Sequence, residues 1–272
     1  MGLSIQTNIA AMDAHRNLVH TSNELHASME RLSSGYRINT AADDAAGLAI
    51  SQKLSSQVSS LGQAQQNAQD AVSLVQTADG AMSEVQAMLQ RVRDLAVEYN
   101  NGTLSASDKG AITNEVAQLC AEVAQIGQQT SFNGIALLSG GHTITFQVGA
   151  DDGETVSVSA LKLFGSGNSF SVDSAVFTFT GSTITLASID AAIDSISTAR
   201  STFGAVQNRL QHTLNNLATY QENLSASESS IKDVDMASEM VNFTKLQVLQ
   251  QAGTAMLAQA NTSQQSVLRL LQ

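Results

Sequence analysis

The stretch IDAAIDSISTARSTFGAVQNRLQHTLNNLATYQENLSASESSI, residues 189–231, carries an apolar side chain at every seventh position: Ile189, Ile196, Phe203, Leu210, Leu217, Leu224 and Ile231. Side chains on a strand alternate with a period of 2, whereas seven residues make close to two helical turns. The unbroken line predicts one long helix over 188–235, packed along its length on another helix. The partner lies in the same chain. From 45 to 100, Leu54, Leu61, Ala68, Val75, Met82, Leu89 and Ala96 repeat at seven. A second line runs through Ala64, Ala71, Ala78, Val85, Val92 and Tyr99. Together they form a heptad seam. At about 1.5 Å per residue this helix would be about 80 Å long. Gly62 and Gly80 weaken it locally, by about 1 kcal/mol each relative to alanine.

The helix starts are marked. Thr40 and Asp43 make a T-x-x-D capping pattern before residue 45, with Asp43 and Asp44 at the positive end of the helix dipole. Adjacent helical residues point about 100° apart, which disfavours reading the two aspartates as a catalytic pair. A shorter helix over 106–129 begins at Ser105 with Asp108 three residues on, and its stripe is Ile112, Val116, Leu119, Val123 and Ile126. Asn133-Gly134 marks a turn after it. Between 141 and 187 the period changes. HTITFQVGADDGETVSVSA, residues 142–160, alternates around Asp151-Asp152-Gly153, and AVFTFTGSTITLA, residues 175–187, does so around Gly181-Ser182. Both read as β-hairpins, joined by a flexible FGSGNS. The fold class is therefore mainly α: long antiparallel coiled-coil helices with a small β-hairpin insertion.

The two ends differ in kind. Residues 3–33 place Ile5, Ile9, Met12, Leu18, Leu25, Met29 and Leu32 at helix-like spacing. Residues 236–271 place Met236, Phe243, Leu246, Leu257, Ala260, Val267 and Leu271 on heptad positions, interrupted by Glu239, Gln250, Gly253 and Gln264. Each has an apolar face and nothing of its own to bury it against. Isolated helices of this sort are marginal in water. Both ends are expected to stay largely unstructured until something supplies the other half of the core. The last segment, 245–272, has no charge between Lys245 and Arg269. It is long enough to span a bilayer, for which about 20 residues suffice. Its amides, Gln247, Gln250, Gln251, Gln259, Asn261, Gln264 and Gln265, argue against burial in hydrocarbon. No membrane insertion is expected.

Composition narrows the function. The 272 residues carry a net charge of −11, no proline, no tryptophan and 4% aromatics. No basic stripe exists to neutralise phosphates, so nucleic acid is not an expected partner. Cys120 is the single cysteine and reads as a small side chain near a core. The N-terminus lacks the basic start and apolar run of a secretory signal, and Gln6 stands where myristoylation wants Ser or Thr. His15, His20, His26, His142 and His212 are scattered, with no H-E-x-x-H. No G-x-S-x-G or phosphate-binding glycine loop occurs. Asp151-Asp152-Gly153-Glu154 lacks the spacing of a calcium loop. The expectation is a protein that is not an enzyme, with no catalytic residue, metal or cofactor.

Several stretches together resemble bacterial flagellin. RLSSGYRINTAADDAAGLAI at 31–50 is similar to the family's N-terminal signature, followed in family order by LQRVRDLAVE at 89–98, TSFNGIALL at 130–138 and FQVGADDGET at 146–155. GAVQNRL at 204–210, ENLSASES at 222–229, IKDVDMASEM at 231–240 and QQAGTAMLAQAN at 250–261 complete the C-terminal half. The chain departs from the family at Ser230, where Arg is usual, and at TSQQSV in place of VPQ.

The resemblance implies an architecture and a role. Residues 1–33 and 236–272 would form the terminal coiled coil called D0. Residues 34–139 and 188–235 would form the helical domain D1, and 140–187 a hairpin and variable surface insertion. The role implied is a structural subunit, exported unfolded and polymerised at the distal end of a flagellar filament outside the cell. Its polymerisation core would include Ile5, Ile9, Met12, Phe243, Leu246, Leu257, Val267 and Leu271. Gly35 and Arg37 would shape the D0–D1 linker, Gly35 by its backbone freedom and Arg37 as an anchor to a neighbour's carboxylate or as a solvated cation. Partners implied are the chain itself, the hook-associated junction and cap proteins, the flagellar type III export apparatus and its chaperone. A host Toll-like receptor would read Arg91, Leu95 and Glu115. Arg91 and Leu95 are four apart on one helix, and Leu95 is expected to be partly exposed. A chemoreceptor coiled coil and a hook–filament junction protein are the rival readings. The first would need transmembrane segments or a sensor domain; the second would not extend a filament.

Overall fold

The computed structural model describes residues 8–139, 143–159 and 186–270, with side chains to 263. The elements are α1 (Ile9–Ser34), α2 (Ala45–Tyr99), α3 (Ala106–Gln129), β1 (Ser131–Phe132), β2 (Ile135–Ala136), β3 (Thr143–Gln147), β4 (Thr155–Ser159), α4 (Leu186–Lys232) and α5 (Met236–Leu270). The expected hairpin over 175–187 lies almost wholly outside the described residues. The chain divides into two compact units, one of residues up to 57 with those from 223 on, the other of 58–222.

The unit of 58–222 is built on the heptad lines. Leu61, Ala68, Val75, Met82, Leu89 and Ala96 on α2 are all buried, as are Ala64, Ala71, Ala78, Val85 and Val92. From Ala68 on they share a core with Ile189, Ile196, Phe203 and Leu210 of α4 and Ile112, Val116 and Val123 of α3. A third line at seven-residue spacing on α2, Leu74, Ala81, Met88 and Leu95, also enters this core. The heptad seam accounted for one partner helix only. The core in fact takes in α3 and the β segments as well, so more of the circumference of α2 is covered. The small alanines at 64, 68, 71 and 78 let neighbouring backbones approach closely.

The β3–β4 hairpin pairs Thr143 with Ser159 through Gln147 with Thr155, and its turn holds Gly153 at φ +94°. Val148, Val156 and Val158 are buried in the helical core, so the hairpin forms part of this unit's packing. Asn133 and Gly134 have φ of +48° and +78° between β1 and β2. Two consecutive left-handed residues make the mirror-image turn that matches strand twist, and Asn-Gly accepts it at least cost. Cys120 is half-buried against the core, where burial pushes its thiol up to about 11.

The caps follow the sequence in one case and differ in the other. Ser105 and Asp108 form the expected capping box on α3, with the Ser105 hydroxyl accepting from Asp108 N–H and the Asp108 carboxylate accepting from Ser105 N–H. At α2 the T-x-x-D pattern does something else. Asp43 closes a turn before the helix, accepting from Thr40 N–H at 2.9 Å and Thr40 Oγ1 at 3.0 Å. Asp44 is the cap, its Oδ1 accepting from Ala46 N–H at 3.0 Å and Gly47 N–H at 2.9 Å. The capping residue is the one immediately outside the first helical residue, and here that residue, Asp44, lies four positions after the Thr40 that the pattern names.

Candidate assembly interface

In the other unit, the turn after α1 comes first. Gly35 sits at φ +78° as the left-handed cap of α1, and its N–H donates to Arg31 C=O at 2.9 Å. The next residues pair with the segment after α4. Tyr36 forms an antiparallel bridge to Asp233, Arg37 N–H donates to Lys232 C=O at 2.7 Å, and Val234 N–H donates to Gly35 C=O at 3.0 Å. The Arg37 guanidinium donates to Ile231 C=O at 2.7 Å. Within the chain its contact is therefore a carbonyl at the negative end of α4. Lys232 Nζ stands 4.2 Å from the centre of the Tyr36 ring, within cation–π range. The two linkers thus clasp each other. Asp43 lies in the same turn, and the Thr40 N–H, then the Thr40 hydroxyl, hold its carboxyl below the usual range.

The clasp feeds α1 and α5 into antiparallel contact. At the far end Asn8 caps α1 through Ala11 N–H and donates from Nδ2 to Ala260 C=O at 3.1 Å. Between these points Gly253 lies so close to Leu18 that an added Cβ would come within 3.2 Å of it. The expectation of largely unstructured ends is therefore corrected: the two ends are helices that partner each other. The expected reason for instability still has force, because the pair buries little. Ser28 is the fully buried residue of α1, and Glu239 that of the described side chains of α5. Ser28 Oγ has no hydrogen-bond partner.

Most of the large apolar side chains of the pair point to solvent. Ile9 is 65% exposed and Met12 63%, joined by Val19, Met29, Met236, Met240, Val241, Val248, Leu249 and Met256. Phe243, Leu246 and Leu257 are half-buried. Ile5 and Leu271 lie outside the described residues, as does the side chain of Val267. Ile9, Met12, Val19 and Leu257 line an apolar groove of about 1190 Å³.

The other expected site splits. Arg91 Nη2 and Nε both reach Glu115 Oε1, at 2.7 and 2.9 Å, so α2 and α3 bring these two together on an exposed surface. Leu95 is only 2% exposed. The expectation of partial exposure is wrong because Leu95 belongs to the third buried line of α2. Arg91 lies about 40° round the helix from it, just past the edge of the core. Three polar contacts in this unit had no sequence signal. Arg200 Nε meets Asp79 Oδ1 at 2.8 Å and its Nη1 meets Gln86 Oε1 at 2.7 Å. Arg93 Nε meets Asp190 Oδ1 at 2.6 Å. Their partners are far apart in the chain, and no local pattern announces such pairs. Among the described residues no His, Cys, Asp or Glu group is arranged to hold a metal. No described helix is long and apolar enough to cross a membrane.

Long helices packed through heptads, with a helix pair whose apolar surface is mostly uncovered, define a structural assembly protein. Comparison with known proteins gives the family. Residues 5–143 match the bacterial flagellin N-terminal helical region, and residues 186–271 the bacterial flagellin C-terminal helical region. The flagellin of Halalkalibacterium halodurans is 46% identical over 269 residues, spanning 98% of this chain and 99% of that protein. The flagellin of Bacillus subtilis is 42% identical over 303 residues, spanning 99% and 100%. The crystal structure of Bacillus cereus flagellin is 31% identical at a TM-score of 0.47, covering 60% of this chain and 94% of that one. The chain belongs to the bacterial flagellin family. It is a structural subunit of the flagellar filament, the extracellular organelle of swimming motility.

Proposed function

We propose that the subunit polymerises by completing, with neighbouring copies, the half-built core of its terminal helix pair. The observation that carries this is the contrast on α1 and α5: they bury Ser28 and Glu239 while exposing Ile9, Met12, Val241, Val248 and Met256. At about 25 cal/mol per Å², covering 1,000 Å² of such surface would contribute about 25 kcal/mol gross, before ordering entropy is subtracted. Head-to-tail contacts that do not close give a filament. In this reading D0 is 1–33 with 236–272, D1 is 34–139 with 188–235, and 140–187 is the surface insertion. Ile5, Val267 and Leu271 extend the same core. Gly35 and Arg37 hold the D0–D1 linker in its clasped form.

The subunit leaves the cell unfolded through the flagellar type III apparatus, kept unpaired by an export chaperone. It is added at the distal end and meets the junction and cap proteins there. It is not an enzyme. The uncharged Gln- and Asn-rich sequence between Lys245 and Arg269 suits a hydrated channel that does not hold passing chains electrostatically. Arg91 and Glu115 form the surface read by a host Toll-like receptor, and Leu95 supports it from within the core.

Seeded elongation tests the central claim. Purified chain added to filament fragments extends them, and the double substitution Ile9→Glu with Val248→Glu abolishes extension while the helical content of the monomer is unchanged. Extension by the double variant at the wild-type rate would refute the reading.

A further inference from the structure

Among the described residues, the exposed methionines all lie on the terminal helices. Met12, Met29, Met236, Met240 and Met256 are between 47% and 65% exposed, all on α1 or α5. Met82, in the α2–α4 core, is 0% exposed, and Met88 is half-buried. Met236 and Met240 are one turn apart and share a face of α5. Met12 lines the apolar groove with Ile9, Val19 and Leu257. A methionine is flexible and polarisable, which suits a contact surface that must adapt to a partner. The same thioether, open to water, is a target for oxidation.

We infer that these five methionines are an oxidation site of the unassembled subunit, and that their sulfoxides block its entry into the filament. The inference rests on the assembly reading above. The reactant is hydrogen peroxide. A sulfur lone pair attacks one peroxide oxygen, the S–O bond forms, and the O–O bond breaks. The departing hydroxide takes the proton from the new S–OH group and leaves as water. The thioether is oxidised by two electrons and the peroxide is reduced. The product carries a strong acceptor oxygen, whose burial is costly, on a face that assembly removes from water. Assembly covers the same sulfurs, so the filament is protected where the free subunit is not. The change is reversible by methionine sulfoxide reductases.

The test uses the full chain and hydrogen peroxide, applied separately to monomer and to filaments, with peptide mass mapping and seeded elongation. In the monomer the five sulfoxides form before that of Met82, and elongation is lost. In the filament the five are spared. Reductase treatment of the oxidised monomer restores elongation. A variant with Leu at all five positions, checked for unchanged helicity, elongates equally well before and after peroxide. Oxidised monomer that elongates at the untreated rate overturns the inference while leaving the assembly reading intact. So does Met82 reacting alongside the five, or reductase treatment that fails to restore growth. If untreated chain does not extend seeds at all, the assembly reading falls and this inference falls with it.

Discussion

Leu95 and Arg91 stand one turn apart on α2 and meet opposite environments. The leucine is packed in the core, and the arginine holds Glu115 across an exposed surface. An exposed ion pair contributes about 0–1 kcal/mol, whereas truncating a buried leucine to alanine costs about 2–5 kcal/mol. Arg91→Ala should therefore leave thermal unfolding almost unchanged, and Leu95→Ala should lower the melting temperature clearly. In a receptor-activation assay run where both variants are folded, Arg91→Ala should lose activity and Leu95→Ala should retain most of it. Equal loss by both would place Leu95 in the contact surface. A sequence reading put both on one side of the helix. It had no means of locating the edge of the core between them, because α3 and the β segments contribute that edge.

At the scale of the element, α3 offers a clean electrostatic test. The Ser105 hydroxyl, then the Ser105 N–H, hold the Asp108 carboxyl below the usual range. A depressed folded pKa contributes stability that is complete above the unfolded pKa and disappears as pH falls through the folded value. Acidification should therefore lower the wild-type melting temperature through the loss of this cap. Asp108→Asn should already lack the charge and lose less over the same acid range, as followed by circular dichroism. This cap was legible because all its parts lie within four residues. The cap of α2 was misplaced by four positions, at Thr40 instead of Asp44, because Thr40 and Asp43 also satisfy a turn, and both uses share one local pattern. The linker clasp was not legible at all. Its bonds join residues 35–37 to 231–234, and nothing in either segment names the other.

At the scale of the whole molecule, the unit of 58–222 and the terminal helix pair divide stability from assembly. Leu210 is fully buried among α2 and α4 side chains. Leu210→Ala should cost about 2–5 kcal/mol in unfolding of the monomer. Val248 is exposed on α5, and Val248→Ala should stay within about 0.5 kcal/mol. Elongation should rank the other way when both monomers are folded, with Val248→Ala slower than Leu210→Ala. A large loss of monomer stability in Val248→Ala would mean that the terminal pair is already a closed core.

The sequence by itself determined the helices of the core, their lengths, the turn at 133–134, the hairpin around 151–153 and the capping box on α3. Each depends on a period or on a contact a few residues long, and such signals survive in one dimension. Tertiary structure alone decided that Arg37 binds a carbonyl of α4, that Leu95 is buried and that the β3–β4 hairpin completes a helical core. Those outcomes depend on which faces meet, and a face is defined only once distant segments of the chain have been brought together.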